Sequence, residues 1–359
     1  MTRLSDPLDF IHGPPMKHRY VLSPLTNCQS HADGTLSDEE YRWLTMRAEG
    51  GFALTMTCAS HVQARGRGFP GQLGCWSDAH LPGLARLAEA IRRNGSLAMI
   101  QLHHAGIRAP KDHIDGPPVG PSDHAETGAR ALTAPEVAGV VLDFVAAAVR
   151  ADRAGYDGVE LHGAHGYLIA QFLSPEFNRR EDRYGGEFAN RARLLFEILD
   201  GIRARCRPDF AVGVRLSPER FGLVLPEIVD LARQLVAGGQ VDFLDLSLWD
   251  VTKEPNDAAW QGRTLLSYFT EIDRGRVRFG AAGRIHSARD AEAALAAGLD
   301  YVVIGRGAVL HHDFARRALA DPGFQMANLP VTPAYLAAEG LSPVFVEYMR
   351  NWKGFVTEA

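Results

Sequence analysis

The sequence is poor in the features that mark several large protein classes. Its four cysteines, Cys28, Cys58, Cys75 and Cys206, stand far apart in 359 residues, with no CxxC pair. A zinc ribbon or an iron–sulfur cluster needs closer thiolates, so no metal site is expected from them. Four reduced thiols in a cytoplasmic protein is the simpler reading. No run approaches the roughly eighteen consecutive apolar residues of a membrane-spanning helix. The start, Met1-Thr2-Arg3-Leu4-Ser5-Asp6-Pro7, lacks the apolar stretch of a signal peptide. Neither charge sign dominates: 38 Lys+Arg against 43 Asp+Glu give a net charge of −5, which argues against nucleic acid or an anionic membrane as the main partner. No GxGxxG follows the first strand, and no P-loop pattern occurs, so neither dinucleotide nor nucleotide sites of those kinds are supported.

What is present suits a globular chain. The residues are 46% hydrophobic and 23% charged, enough for a large core and too little charge for disorder. The 36 glycines suggest many tight turns. Short apolar runs rich in Val, Ile and Leu alternate with segments of helical period, the pattern of parallel strands with crossover helices. Strands are expected at 19–24, 52–58, 97–102, 157–161, 210–216, 241–246, 277–281 and 300–304. Ser37 with Glu40 and Thr133 with Glu136 read as capping boxes, and Ser287 with Asp290 opens an Ala-rich helix.

Eight strand–helix units in one unbroken series predict an α/β fold, a (β/α)₈ TIM barrel. No linker divides the chain, so 1–359 reads as one domain with the barrel over about 19–320. A bare barrel needs about 250 residues. The surplus falls in the N-terminal segment, the loop 103–132 after strand three, the loop after strand four, and an extension over about 321–359. Loops after strand C-termini build the active site of this fold.

The strand ends carry chemistry. Strand three ends at Gln101, followed by His103 and His104. Strand four leads into His162-Gly163-Ala164-His165-Gly166-Tyr167, strand five carries Arg215, and strand one ends in Pro24-Leu25-Thr26-Asn27. Each residue alone is as readily a loop anchor; their convergence on one mouth is harder to explain by accident. A catalytic metal is the rival reading, but no carboxylate sits beside His162 and His165 to complete a set of ligands. Strand seven runs into Gly280-Ala281-Ala282-Gly283-Arg284 and strand eight into Gly305-Arg306-Gly307. Barrels of this kind often bind phosphate there, through backbone N–H groups and a charge-assisted contact.

Together these residues resemble the old yellow enzyme family of FMN-dependent NADH:flavin oxidoreductases and ene-reductases. The most specific stretch is HGAHGYLIAQFLSPEFNRREDRYGGEFANR at 162–191. SPLTN at 23–27, IQLHHAG at 100–106, VGVRLSP at 212–218, AAGRIHS at 281–287 and VIGRG at 303–307 support it. The resemblance implies FMN as cofactor and NADH or NADPH as reductant. Pro24, Thr26 and Cys58 would line the isoalloxazine, Gln101 its pyrimidine edge, and Arg215 the N1–O2 side. Gly283, Arg284, Gly305 and Arg306 would hold the phosphate. His162 and His165 would bind the substrate, an activated alkene such as an α,β-unsaturated carbonyl, and Tyr167 would be the proton donor.

The His/His pair matches the bacterial and reductase branches rather than the yeast type. Cys28 takes the position of a substrate-contacting tyrosine in the thermophilic-like branch. Arg108 stands where a lysine often follows strand three. The larger relatives' iron–sulfur cluster lacks its cysteines here. Flavin-dependent demethylation, nitro-compound reduction and a non-catalytic flavin carrier are the alternatives, and homo-oligomerisation is left open. The aromatics of 340–356 are expected to pack under the barrel, with contact to a neighbouring subunit as the other reading.

Overall fold

The computed structural model describes residues 2–358. Eight parallel strands close into a barrel: β1 (Tyr20–Leu22), β2 (Leu54–His61), β3 (Leu97–His103), β4 (Gly158–Gly163), β5 (Ala211–Leu216), β6 (Phe243–Ser247), β7 (Arg278–Ala282) and β8 (Tyr301–Ile304). Each pairs with its neighbours along the chain, and β8 closes onto β1 through Tyr20↔Val302. Every expected strand is present. The strands read as near-continuous apolar runs because both faces are covered: all six residues of β5, AVGVRL, are buried.

The flanking helices follow their start signals. In Ala134–Arg153 both halves of the Thr133–Glu136 capping box form, and Val137, Val140, Val141, Phe144 and Val145 make the buried stripe. Ser37 caps Asp38–Glu49, but Glu40 is not the returning half of a box. Its carboxylate turns inward and accepts from Asn27 at 3.1 Å and from Ser30. Between β6 and β7 the expected helix shrinks to the single turn Ser267–Thr270 and a 3₁₀ turn at Ala258–Trp260. Pro255, Gly262 and Gly275 interrupt that stretch.

The two ends of the barrel are closed differently. Leu8, Phe10 and Met16 of the N-terminal segment pack on inward-facing Val21, Leu54, Met56, Met99 and Phe243, plugging the end where the strands begin. That end therefore has no room for the C-terminal tail, and the expectation that 340–356 packs there is wrong. The helix Pro343–Met349 instead lies over the opposite mouth. Its Phe345 ring meets Trp43 edge-on at 4.9 Å between centroids, and Tyr348, Met349 and Trp352 face the cavity.

Candidate active site

A cavity of about 910 Å³ opens at the C-terminal ends of the strands. Strand ends and following loops contribute to its wall: Ser23, Pro24 and Thr26 after β1, Gln101 from β3, His162, His165 and Tyr167 from β4 onward, and Arg215 from β5. Ser247 comes from β6, Gly283, Arg284 and His286 from beyond β7, and Gly305 and Arg306 from beyond β8. Six non-glycine residues among those described have left-handed φ, and five of them, His165, Arg220, Phe221, Trp249 and Arg284, line this cavity. Such backbone costs about 1–3 kcal/mol per residue and clusters where function requires it.

Two expected residues do not reach the cavity. Strict alternation along β2 would place Cys58 inward after Leu54 and Met56. The β2–β3 register slips between Met56 and Ala59, however, inserting one extra residue. Ala59 takes the inward position, and Cys58 faces the barrel's outer side, donating its Sγ–H to Glu40 at 3.1 Å. Cys28 is half-buried and is not part of the cavity wall; its carbonyl packs against Gly71. Arg108 does line the cavity, its guanidinium 4.8 Å from the Tyr167 ring centroid.

The histidine pair is ordered by a chain of hydrogen bonds. The Ala164 N–H donates to His162 Nδ1 at 3.3 Å, so the ring hydrogen of neutral His162 sits on Nε2. That N–H faces His165 Nδ1 at 3.2 Å, which leaves the His165 Nε2–H to donate to Ser247 Oγ at 2.6 Å. Burial, reinforced by Arg215 and Arg108, holds His165 down to about 3. Burial also lowers His162, with His165, His103 and Arg215 adding to it. Both imidazoles are neutral near pH 7, each presenting one N–H. Tyr167 packs between the edges of His103 at 4.3 Å and His162 at 5.0 Å, which fixes its ring beside the pair.

The cavity suits FMN at both ends. Arg215 Nε is buried with no partner, and Arg215 lines the cavity together with Gln101, donors that suit the polar edge of a flavin. At the other end Gly283 and Gly305 directly follow the adjacent strands β7 and β8. Arg306 forms no salt bridge among the described residues, so its charge is available to a phosphate. Arg284 pairs only loosely with Asp250, at 3.5 Å.

Several residues of this wall were not anticipated: Ser247, Ala59, Trp249 and the tail aromatics, and Glu160 and Asp245 beneath the floor. The two carboxylates did leave a signal, as charged residues inside otherwise apolar strands.

A parallel barrel with two neutral imidazoles, arginines and two glycine turns at its strand-end mouth is compatible with a flavin oxidoreductase. The model of the NADH:flavin oxidoreductase / NADH oxidase family matches residues 4–322. The chain is 38% identical over 314 residues to "Probable NADH-dependent flavin oxidoreductase YqiG" of Bacillus subtilis, covering 84% of each. It is 34% identical over 341 residues to the NADH:fumarate oxidoreductase of Klebsiella pneumoniae, 90% of this chain but only 36% of that longer protein. The old yellow enzyme homologue of Zymomonas mobilis superposes with a TM-score of 0.80 at 26% identity, over 96% of this chain and 99% of the other. The chain therefore belongs to the NADH:flavin oxidoreductase / NADH oxidase family, as an FMN-dependent NAD(P)H oxidoreductase of old yellow enzyme type.

Proposed function

We propose that this oxidoreductase reduces the C=C bond of α,β-unsaturated carbonyl compounds or similarly activated alkenes. The observation that carries the reading is the pair of neutral imidazoles beside a tyrosine hydroxyl, all facing one cavity with Gln101 and Arg215. FMN bound here would supply the hydride chemistry between NAD(P)H and the alkene's β-carbon. Gln101 and Arg215 hold the polar edge of the flavin, Pro24, Thr26 and Ala59 border it, and Gly283, Arg284, Gly305 and Arg306 hold its phosphate.

His162 and His165 orient the substrate by its carbonyl oxygen. Negative charge gathers on that oxygen as hydride arrives, and two N–H donors aimed at it stabilise the charge as an oxyanion hole does. The oxygen must compete with His165 Nδ1 and Ser247 Oγ for these hydrogens. Tyr167 donates its hydroxyl proton to the α-carbon, and solvent restores it.

The test uses NADPH carrying deuterium at the transferred position, with an enone, under anaerobic conditions. Product labelled at the β-carbon from the cofactor, and at the α-carbon when the solvent is D₂O, is expected. Flavin that NADPH reduces but no enone reoxidises would overturn the reading.

A further inference from the structure

At the cavity floor three charged side chains are buried together inside the barrel, Arg215 reaching the cavity and Glu160 and Asp245 lying beneath it. Glu160 on β4, Arg215 on β5 and Asp245 on β6 all point inward. Glu160 Oε1 accepts from Gln101 Nε2 at 2.6 Å, and Asp245 Oδ2 lies 3.3 Å from Arg215 Nη1. Three polar atoms are left without a partner: Glu160 Oε2, Asp245 Oδ1 and Arg215 Nε. Both carboxyls border a void of about 10 Å³ walled by Met56, Phe243 and Tyr301. That is room for one water at most, too little to hydrate both free oxygens and the guanidinium as bulk solvent would. Two carboxylates around one guanidinium in so enclosed an interior would leave an uncompensated negative charge, which such an environment resists.

We propose that Glu160 and Asp245 share one proton, and that Glu160 in its acid form is a positioning residue, fixing the Gln101 amide and setting how the reduction potential of bound flavin varies with pH. The proposal rests on the reading that puts the flavin's polar edge at Gln101 and Arg215. The other groups facing the pair leave the proton count to these two carboxyls. Arg215 on β5 is the one cation, and Tyr301 on β8 stays neutral with its hydroxyl donated to the Leu244 carbonyl at 3.1 Å. Gln101 on β3, Ser23 after β1, Met56 on β2 and Gly280 on β7 do not titrate.

Hydride from NAD(P)H brings two electrons and one proton, so the charge beside Arg215 falls by one. While Glu160 is neutral, Arg215 answers that charge balanced only by Asp245. Once Glu160 is ionised the added charge is repelled, and reduction then draws one further proton from solvent, forming the Glu160 Oε2–H bond; no other bond in the cluster breaks. Burial and the Asp245 charge push Glu160 up to about 8, which places this change in the alkaline range.

The test is equilibrium reduction of the holoenzyme against reference dyes, followed across neutral and alkaline pH. In the wild type the potential should steepen above about pH 8 by one proton per two electrons. Glu160→Gln keeps an acceptor for Gln101 but cannot ionise. Its curve should not steepen, and in the alkaline range its reduction equilibrium should gain on the wild type by about tenfold per pH unit. Parallel curves would overturn the proposal. Infrared spectra give a readout that needs no flavin reduction: a protonated carboxyl band is expected in the wild type at neutral pH and not in Glu160→Gln, and its absence from the wild type would overturn the proposal. Gln101→Leu separates the two layers. If it leaves FMN affinity unchanged, the flavin's placement fails and this proposal with it. If FMN weakens while the potential curves stay parallel, the proposal falls alone.

Discussion

Phenols that mimic an enolate oxygen should bind over the oxidised flavin, and the histidine pair should decide how tightly. A donor to a charged oxygen contributes about 1.5–3 kcal/mol, so His162→Ala or His165→Ala should weaken phenol binding by roughly ten- to a hundredfold. Ser247 makes the prediction sharper. Its hydroxyl accepts the His165 Nε2–H at 2.6 Å, a bond that a ligand oxygen must displace. A neutral hydrogen bond is worth about 0.5–1.5 kcal/mol net, so Ser247→Ala should tighten phenol binding by about two- to tenfold. The assay is titration of the long-wavelength charge-transfer absorbance at fixed pH, with the three variants and the wild type side by side. Undiminished binding in both histidine variants would show that the pair is structural. If Ser247→Ala weakens phenol as much as His165→Ala does, Ser247 is itself the ligand and the hydrogen-bond chain is misread.

Arg306→Ala should weaken FMN more than riboflavin, because it removes a charge-assisted phosphate contact worth roughly 1.5–3 kcal/mol; equal losses in fluorescence titrations of the two would move the phosphate elsewhere. Phe345→Ala empties a fully buried site against Trp43 and should cost about 3–5 kcal/mol, read from urea midpoints, while a change under about 1 kcal/mol would mean the tail is not docked over the mouth. Burial lowers His104 from 6.5 to about 3, so the unfolded chain binds its proton first. The stability this neutral ring contributes is complete above pH 6.5 and is lost as pH falls toward 3. Between those limits the wild type should lose about 1.4 kcal/mol per pH unit more than His104→Gln, and parallel urea-midpoint curves would contradict this.

Much of the barrel was legible because parallel strands covered on both faces must be apolar throughout, and the eight runs say so without tertiary knowledge. Caps were legible where the side chain serves the helix, as at Thr133, and misleading where a buried demand competes, as at Glu40. Cys58 shows a limit of periodicity: one inserted residue reverses the facing of every later side chain in the strand, and nothing in LTMTCASH announces the slip. The tail failed for a related reason. Whether Phe345 and Tyr348 pack above or below the barrel depends on which end the N-terminal segment has filled, a contact between chain ends that local pattern does not encode. The strand-end residues were legible because the fold itself sends them to one mouth. The order of hydrogen bonds through His162, His165 and Ser247 was not, because it joins the ends of β4 and β6 through contacts that neither strand encodes alone.

Stopped-flow measurement of the two half-reactions in Tyr167→Phe tests the central claim most directly. The substitution keeps the ring between His103 and His162 and removes only the hydroxyl. Reduction of the flavin by NADPH should stay near the wild-type rate, since it needs no proton from this residue. Reoxidation by cyclohexenone should slow by about 10²–10⁴, the usual contribution of a positioned general acid. Enone reoxidation at the wild-type rate, or both steps slowed alike, would contradict the account.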